Sequence, residues 1–254
     1  MRIVKLICIV LIPSLFIACG SGNQKASSLF EINLAENAKQ VNQNKEVGIS
    51  IKNKKQKEID GVVYSINEYP HDTEAYTQGL EFYNDTLYES TGKNGESFLR
   101  KLNFKTGEVY KQIDLDKSYF GEGITILNNK IYQLTWKSGL GFIYDLDTFK
   151  KLDNFQYGKS REGWGLTNDG KKIFKSDGTE KIWFLNPDTM TEEGYIETVT
   201  NSSIFNSANE LEYVDGILYA NVYQKPSAMI IDSKTGSIEG VINFSGLSNL
   251  IHKK

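Results

Sequence analysis

Four positions of this 254-residue chain share a spacing and differ in chemistry: Gln78, Glu122, Trp164 and Asn209 stand 44, 42 and 45 residues apart. Together they offer one carboxyl group that can carry a proton, two amides that can donate and accept hydrogen bonds, and an indole that can form an apolar wall. Each directly precedes a related tripeptide: Gly79-Leu80-Glu81, Gly123-Ile124-Thr125, Gly165-Leu166-Thr167 and Glu210-Leu211-Glu212. Gln78 and Asn209 suit either substrate contact or the tying together of neighbouring elements by hydrogen bonds. Glu162 and Glu210 read as structural partners.

The elements that must position these residues follow the same period. Tyr88, Tyr132, Phe174 and Tyr219 each follow an aliphatic residue and are again 44, 42 and 45 apart. Turn chemistry recurs in step with them, at Asn103 to Gly107, Asp145 to Thr148, Asn186 to Thr189 and Asp232 to Gly236. A period of about 40 to 45 residues carrying short strands and tight turns is that of a four-stranded propeller blade. The expected blades span 75–117, 118–159, 160–203 and 204–247, within an all-β propeller region at 62–254.

In a propeller the innermost strands converge on a central channel, and equivalent positions of successive blades face one another at its mouth. Gln78, Glu122, Trp164 and Asn209 are therefore expected to ring one pocket. Four residues beyond each second-strand aromatic come Gly92, Trp136, Gly178 and Tyr223, which adds Trp136 and Tyr223 to the next layer. The alternating segment Val62–Tyr69 reads as the outer strand of a fifth blade whose inner strands would follow residue 247, so the fifth blade of this chain is expected to be incomplete.

The remaining segments place the chain in the cell. Arg2 and Lys5 precede an apolar run from Leu6 to Ile17, which reads as a secretory signal. It ends at Ala18-Cys19-Gly20-Ser21, and this arrangement resembles a bacterial lipoprotein cleavage site with Cys19 as the lipidated residue. Residues 1–18 are then the leader, 19–29 a Gly/Ser/Asn-rich tether and 30–61 a small β appendage. An exported lipoprotein follows, periplasm-facing or on the cell surface and anchored in a membrane through its lipid.

Composition narrows the chemistry further. The two cysteines, Cys8 and Cys19, both lie at or before the end of the leader, so disulfides and thiolate chemistry are excluded from the body. Two histidines are too few for a multi-histidine zinc site. Without Arg2 and Lys5, 27 basic residues face 32 acidic ones, and this net charge of −5 argues against a nucleic-acid partner. A calcium-dependent propeller hydrolase would need more carboxylates at the recurring positions, where Gln78 and Trp164 stand.

Four ordered motifs carry a resemblance to a known family. Tyr69-Pro-His-Asp-Thr-Glu-Ala-Tyr76-Thr-Gln78-Gly-Leu80, Phe120-Gly-Glu122-Gly-Ile-Thr125, Glu162-Gly-Trp164-Gly-Leu-Thr167 and Asn209-Glu-Leu-Glu-Tyr213 resemble the plant-type and bacterial glutaminyl cyclases, or glutamine cyclotransferases, over about residues 62 to 248. The resemblance implies a five-bladed propeller that converts the N-terminal glutamine of peptides and proteins to pyroglutamate with release of ammonia, acting without a metal or other cofactor. It implies Glu122 as the proton shuttle, and Tyr76, Gln78, Phe120, Trp136, Trp164 and Asn209 as the channel's aromatics and amides. Tyr223 stands in Asn221-Val222-Tyr223, where the family pattern has a tryptophan, and the family's fifth-blade Gly-Lys-x-Trp-Pro stretch has no counterpart here. A monomer is expected. The alternative expectation is a non-catalytic peptide-binding propeller, or a decayed cyclase that lacks the closing blade.

Overall fold

The computed structural model describes residues 7–9, 28–34, 47–48, 57–59 and 62–245, with side chains from Tyr69 onward. Cys19, residues 49–56 and the last nine residues lie outside the described residues. Every regular element described is a β-strand. In chain order the first five are β1 (Ile7–Ile9), β2 (Ser28–Leu34), β3 (Val47–Gly48), β4 (Lys57–Ile59) and β5 (Val62–Pro70).

The remaining sixteen strands form four antiparallel meanders of four strands each. The first contains β6 (Thr77–Tyr83), β7 (Thr86–Thr91), β8 (Phe98–Leu102) and β9 (Val109–Asp114). The second contains β10 (Gly121–Leu127), β11 (Lys130–Thr135), β12 (Leu140–Asp145) and β13 (Lys151–Gln156). β14 (Leu166–Asn168), β15 (Ile173–Ser176), β16 (Lys181–Leu185) and β17 (Glu192–Glu197) make the third. The fourth is β18 (Ala208–Val214), β19 (Ile217–Val222), β20 (Ser227–Asp232) and β21 (Ile238–Asn243). These are the four expected propeller blades.

Local chemistry explains why each blade turns where it does. The hairpins between first and second strands use Asn84-Asp85, Asn128-Asn129 and Asp215-Gly216, all with positive φ, the conformation of two-residue turns that match strand twist. Between third and fourth strands, the side chains of Asn103, Asp145, Asn186 and Asp232 each accept backbone N–H groups two or three residues on. Left-handed Gly107, Phe149, Met190 and Gly236 complete those turns, and a register shift follows in every blade.

The core lies between blades. Tyr88 and Leu99 of the first pack with Ile124, Ile131, Phe142 and Tyr144 of the second, all buried. Tyr132 and Leu134 meet Leu166, Ile173 and Trp183 across the next gap, and Phe174 and Ile182 meet Leu211, Leu218 and Met229 across the last. The periodic aliphatic residues Leu87, Ile131, Ile173 and Leu218 are each 0–2% exposed. Burial of this kind is worth about 2 kcal/mol per large aliphatic side chain.

Two features differ from the expectation. β5 is not an edge strand: it pairs with β2 on one side and β4 on the other, in a sheet ordered β1-β2-β5-β4. Residues 30–34 of the segment read as a separate appendage, together with Ser28 and Leu29 of the segment read as a tether, thus pair with β5 along seven positions. β3, read as part of the same appendage, instead adds in parallel to the outer strand β21. β1 lies inside the segment read as a leader, and cleavage before Cys19 would take this strand away. Tyr69, near the end of β5, packs edge-on against Phe104 in the outer turn of the first blade, with ring centroids 5.0 Å apart.

Candidate active site

The recurring glycines are explained by contact between backbones. A Cβ on Gly79 would lie 2.6 Å from the Ile124 amide nitrogen, one on Gly123 would lie 2.6 Å from the Trp164 carbonyl oxygen, and one on Gly165 would lie 2.2 Å from the Asn209 carbonyl oxygen. Each signature therefore presses its backbone onto the next signature, blade after blade. Polar bonds stitch the same seam: the Gly123 amide donates to the Trp164 carbonyl at 2.7 Å, and the Ser176 hydroxyl accepts from the Gly165 amide and donates to the Asn209 carbonyl.

At this seam the inner strands lose regular pairing. Register shifts fall at Thr77/Gly79, Gly121/Ile124 and Ala208/Leu211, around Gln78, Glu122 and Asn209. Such irregularities re-aim side chains out of the ladder. In the third blade β14 begins only at Leu166, so Trp164 sits in the approach loop, where its amide donates to the Ser176 carbonyl.

Above the seam the structure brings the aromatic candidates into three ring contacts and a shared anchor. Tyr76 meets Phe120 at 6.2 Å between centroids, and Phe120 meets Trp136 at 5.5 Å. Trp164 meets Tyr223 at 5.2 Å. The indole N–H groups of Trp136 and Trp164 both donate to Glu162 Oε2, at 2.8 and 2.9 Å. The glycines alternating with Trp136 and Tyr223 make room for the rings: a Cβ on Gly92 would strike the Phe120 ring at 2.2 Å, and one on Gly178 the Trp164 ring at 2.4 Å. Gln78 and Asn209 are half-buried, and Tyr223 is the most open of the group, 48% exposed.

Glu122 is 5% exposed, and no described residue hydrogen-bonds its carboxyl group. Burial, and then the negative charge of Glu162, push its pKa well above the ordinary carboxylate value. Tyr76 and Tyr157 both lie within electrostatic reach of the Glu122 carboxyl group. Glu210 occupies the position that is glycine in the other three signatures, and its carboxylate reaches across to Gly123. Both its oxygens are buried without a hydrogen-bonding partner among the described residues. Burial raises its pKa strongly, and the nearby Leu80 amide offsets this only in part.

Two polar clusters hold the loops that deliver these side chains. Ahead of Tyr76 and Gln78, Glu89 binds His71 at 2.8 Å, Arg100 Nε at 2.6 Å and the Thr77 hydroxyl at 2.5 Å, while Arg100 also reaches Asp72 at 3.0 Å. Burial alone would raise Glu89, yet His71, Arg100 and Thr77 hold it below the ordinary range. Ahead of Trp164, the Glu192 carboxylate accepts the amides of Gly158, Lys159 and Ser160. Lys175, fully buried on β15, donates to the Ser160 hydroxyl and to the Glu162 carbonyl at 2.7 Å, with its ammonium 4.0 Å from the Tyr157 ring centroid. Burial lowers its pKa to about 8.

Glu162, Lys175 and Tyr157 are site residues that sequence reasoning missed as such. Glu162 stands two places before Trp164 in a recurring motif and Lys175 directly follows the periodic Phe174, signals that were legible; Tyr157 lies in a loop with no periodic mark.

Fold and site together define a β-propeller with a desolvated carboxyl group at an aromatic channel mouth. The chain belongs to the glutamine cyclotransferase family, whose model matches residues 20–254. It is 41% identical over 184 residues to a glutaminyl-peptide cyclotransferase of Arabidopsis thaliana, across 72% of this chain and 57% of that protein. The chain thus spans little more than half the length of that relative. The crystal structure of Myxococcus xanthus glutaminyl cyclase matches with a TM-score of 0.67 and 33% identity, covering 72% of this chain and 77% of the other.

Proposed function

We propose that this protein is a glutaminyl-peptide cyclotransferase, closing the N-terminal glutamine of peptides and proteins to pyroglutamate with release of ammonia. The observation that carries this reading is Glu122: a desolvated carboxyl group at an aromatic mouth in a chain of this family.

The substrate's α-amine is already tethered to the γ-carboxamide that it attacks, so much of the proximity advantage is intramolecular. The pocket has to fold the side chain back and manage protons. As the amine nitrogen bonds to the carboxamide carbon, that nitrogen becomes positively charged and the carbonyl oxygen negatively charged. Glu122 takes the proton from the new C–N nitrogen and delivers it to the amide nitrogen; the old C–N bond breaks and ammonia leaves. A raised pKa suits a group that must hold this proton between the two steps. Gln78 and Asn209 supply hydrogen bonds to the amide and the backbone carbonyl, and Tyr76, Phe120, Trp136, Trp164 and Tyr223 keep out water that would hydrolyse the amide.

The test is to supply an N-terminal-glutamine peptide and follow ammonia release and loss of the free α-amine. Absence of both, with peptide binding retained, would replace this reading by a binding propeller. The protein is further proposed to be exported and membrane-anchored through Cys19, as a monomer, on the strength of the leader and its cleavage-site pattern. Cys19→Ser should move it from the membrane to the soluble fraction; unchanged fractionation would reject the anchor.

A further inference from the structure

We propose that Glu162 is the positioning residue of this pocket, a clamp that holds the tryptophan walls of two consecutive blades in one arrangement through a single carboxylate oxygen. The proposal rests on the cyclotransferase reading for its kinetic consequences and on geometry alone for the clamp itself.

An indole N–H is a donor only, so a wall tryptophan needs an acceptor at its rim. Here Trp136, from the end of the second blade's second strand, and Trp164, from the approach to the third blade, share Glu162 Oε2 at 2.8 and 2.9 Å. One acceptor for two donors fixes the rings relative to each other, which separate acceptors would not. The other carboxylate oxygen faces Lys137 Nζ at 3.9 Å, and that ammonium lies 3.9 Å from the Trp136 ring centroid.

The clamp is itself anchored. Glu162's carbonyl accepts from buried Lys175, the Gly163 amide donates to the Trp136 carbonyl at 2.9 Å, and a Cβ on Gly163 would meet the Tyr157 hydroxyl at 2.3 Å. The carboxylate therefore has little freedom to follow a substrate. It acts on substrate through the indoles, and on Glu122 through its charge. Among the described residues, the titratable and charged groups around Glu122 are Tyr76 ahead of β6, Tyr157 after β13, Glu162 ahead of β14 and Glu210 on β18. Glu162 raises the proton affinity of Glu122, while Lys137 partly offsets its charge.

Two variants separate the contributions. Glu162→Ala removes the shared acceptor, and Glu162→Gln keeps an acceptor oxygen while removing the charge. Of the chain's three tryptophans, Trp183 is buried elsewhere and bonds to Asp177 at 2.8 Å, so a change confined to the walls is readable in near-ultraviolet circular dichroism and tryptophan emission. For Glu162→Ala the expected result is a red-shifted emission, a reduced near-ultraviolet signal and KM for an N-terminal-glutamine peptide raised about tenfold, with kcat changed less. Glu162→Gln should retain the spectrum and KM and move the Glu122 limb of the pH–rate profile to lower pH. A Glu162→Ala protein with unchanged spectra would overturn the clamp whatever its activity. An inactive wild type whose spectra still respond would reject the cyclotransferase reading and leave the clamp standing. An unchanged pH profile for Glu162→Gln in an active enzyme would overturn the electrostatic half.

Discussion

The seam between inner strands and the mouth just above it are built on opposite terms. At the seam, Gly79, Gly123 and Gly165 meet backbone atoms at 2.2–2.6 Å from where a Cβ would sit, and backbone cannot step aside. At the mouth, Phe120 and Trp164 lie over Gly92 and Gly178, and the walls are rings held by a few polar contacts. The seam sets the distance between blades; the mouth uses that distance to gather side chains. Substitutions at the seam should therefore cost stability, and those at the mouth should cost activity.

The largest expected effect is at the seam. Gly165→Ala places a methyl group 2.2 Å from the Asn209 carbonyl oxygen and 2.6 Å from the Glu210 Cα, forcing the third and fourth blades apart. A loss of about 4 kcal/mol or failure to fold is expected in chemical denaturation, and a stable, unshifted unfolding midpoint would refute the rigidity of the seam. Lys175→Met comes next: it leaves the Glu162 carbonyl and Ser160 hydroxyl without their buried donor. About 3 kcal/mol should be lost, with KM rising in the surviving folded fraction because the loop that carries Trp164 loosens.

Glu122→Gln sharpens the contrast in the other direction. It keeps the shape and removes the titratable group, so turnover should fall by about 10², or some 2.7 kcal/mol on the barrier. Since burial disfavours the ionised form of Glu122, the same variant should melt no lower than wild type at pH 8. Equal turnover in both proteins would remove Glu122 from the proton-transfer role.

The remaining expected effect is on the pH dependence of stability. Glu81, Glu122 and Glu210 all have raised pKa values. Burial takes Glu81 to about 8, although the Ile126 amide and the Thr125 hydroxyl partly oppose this. A carboxyl group raised on folding keeps its proton while the unfolded chain releases one, so stability falls as pH rises from about 4.5 to 8. Asp72 and Glu89 act oppositely. Their lowered values mean that stability is lost below about pH 4 as they protonate. Thermal melting should peak near pH 5 and drop by several degrees by pH 8. A flat profile between these values would show that the buried carboxyl groups are compensated.

The blades, their turns and the facing of successive signatures were legible in the sequence because a repeat writes its geometry once per period. Tyr88, Tyr132 and Phe174 recur because each fills the same place between blades, and Asn103, Asp145, Asn186 and Asp232 because each caps the same turn. The β reading of residues 30–61 and of Val62–Tyr69 identified strands. It carried no information on which edge each would join, since pairing partners distant in sequence leave no local pattern.

Glu162 shows the same division within the site. Its proximity in sequence to Trp164 was plain, but its bond to Trp136, 26 residues away and in another blade, exists only once the seam has fixed the spacing of the two blades. Likewise, a lysine in a short strand reads as an ordinary surface residue until folding buries Lys175 under the loop it holds. Periodicity by itself determined the blades and the contact of each signature with the next, because both follow from local repeats of type and spacing. Tertiary structure decided which carboxyl group is desolvated, which is a clamp and which crosses the channel, because burial and partnership are properties of neighbours that the chain brings together only by folding.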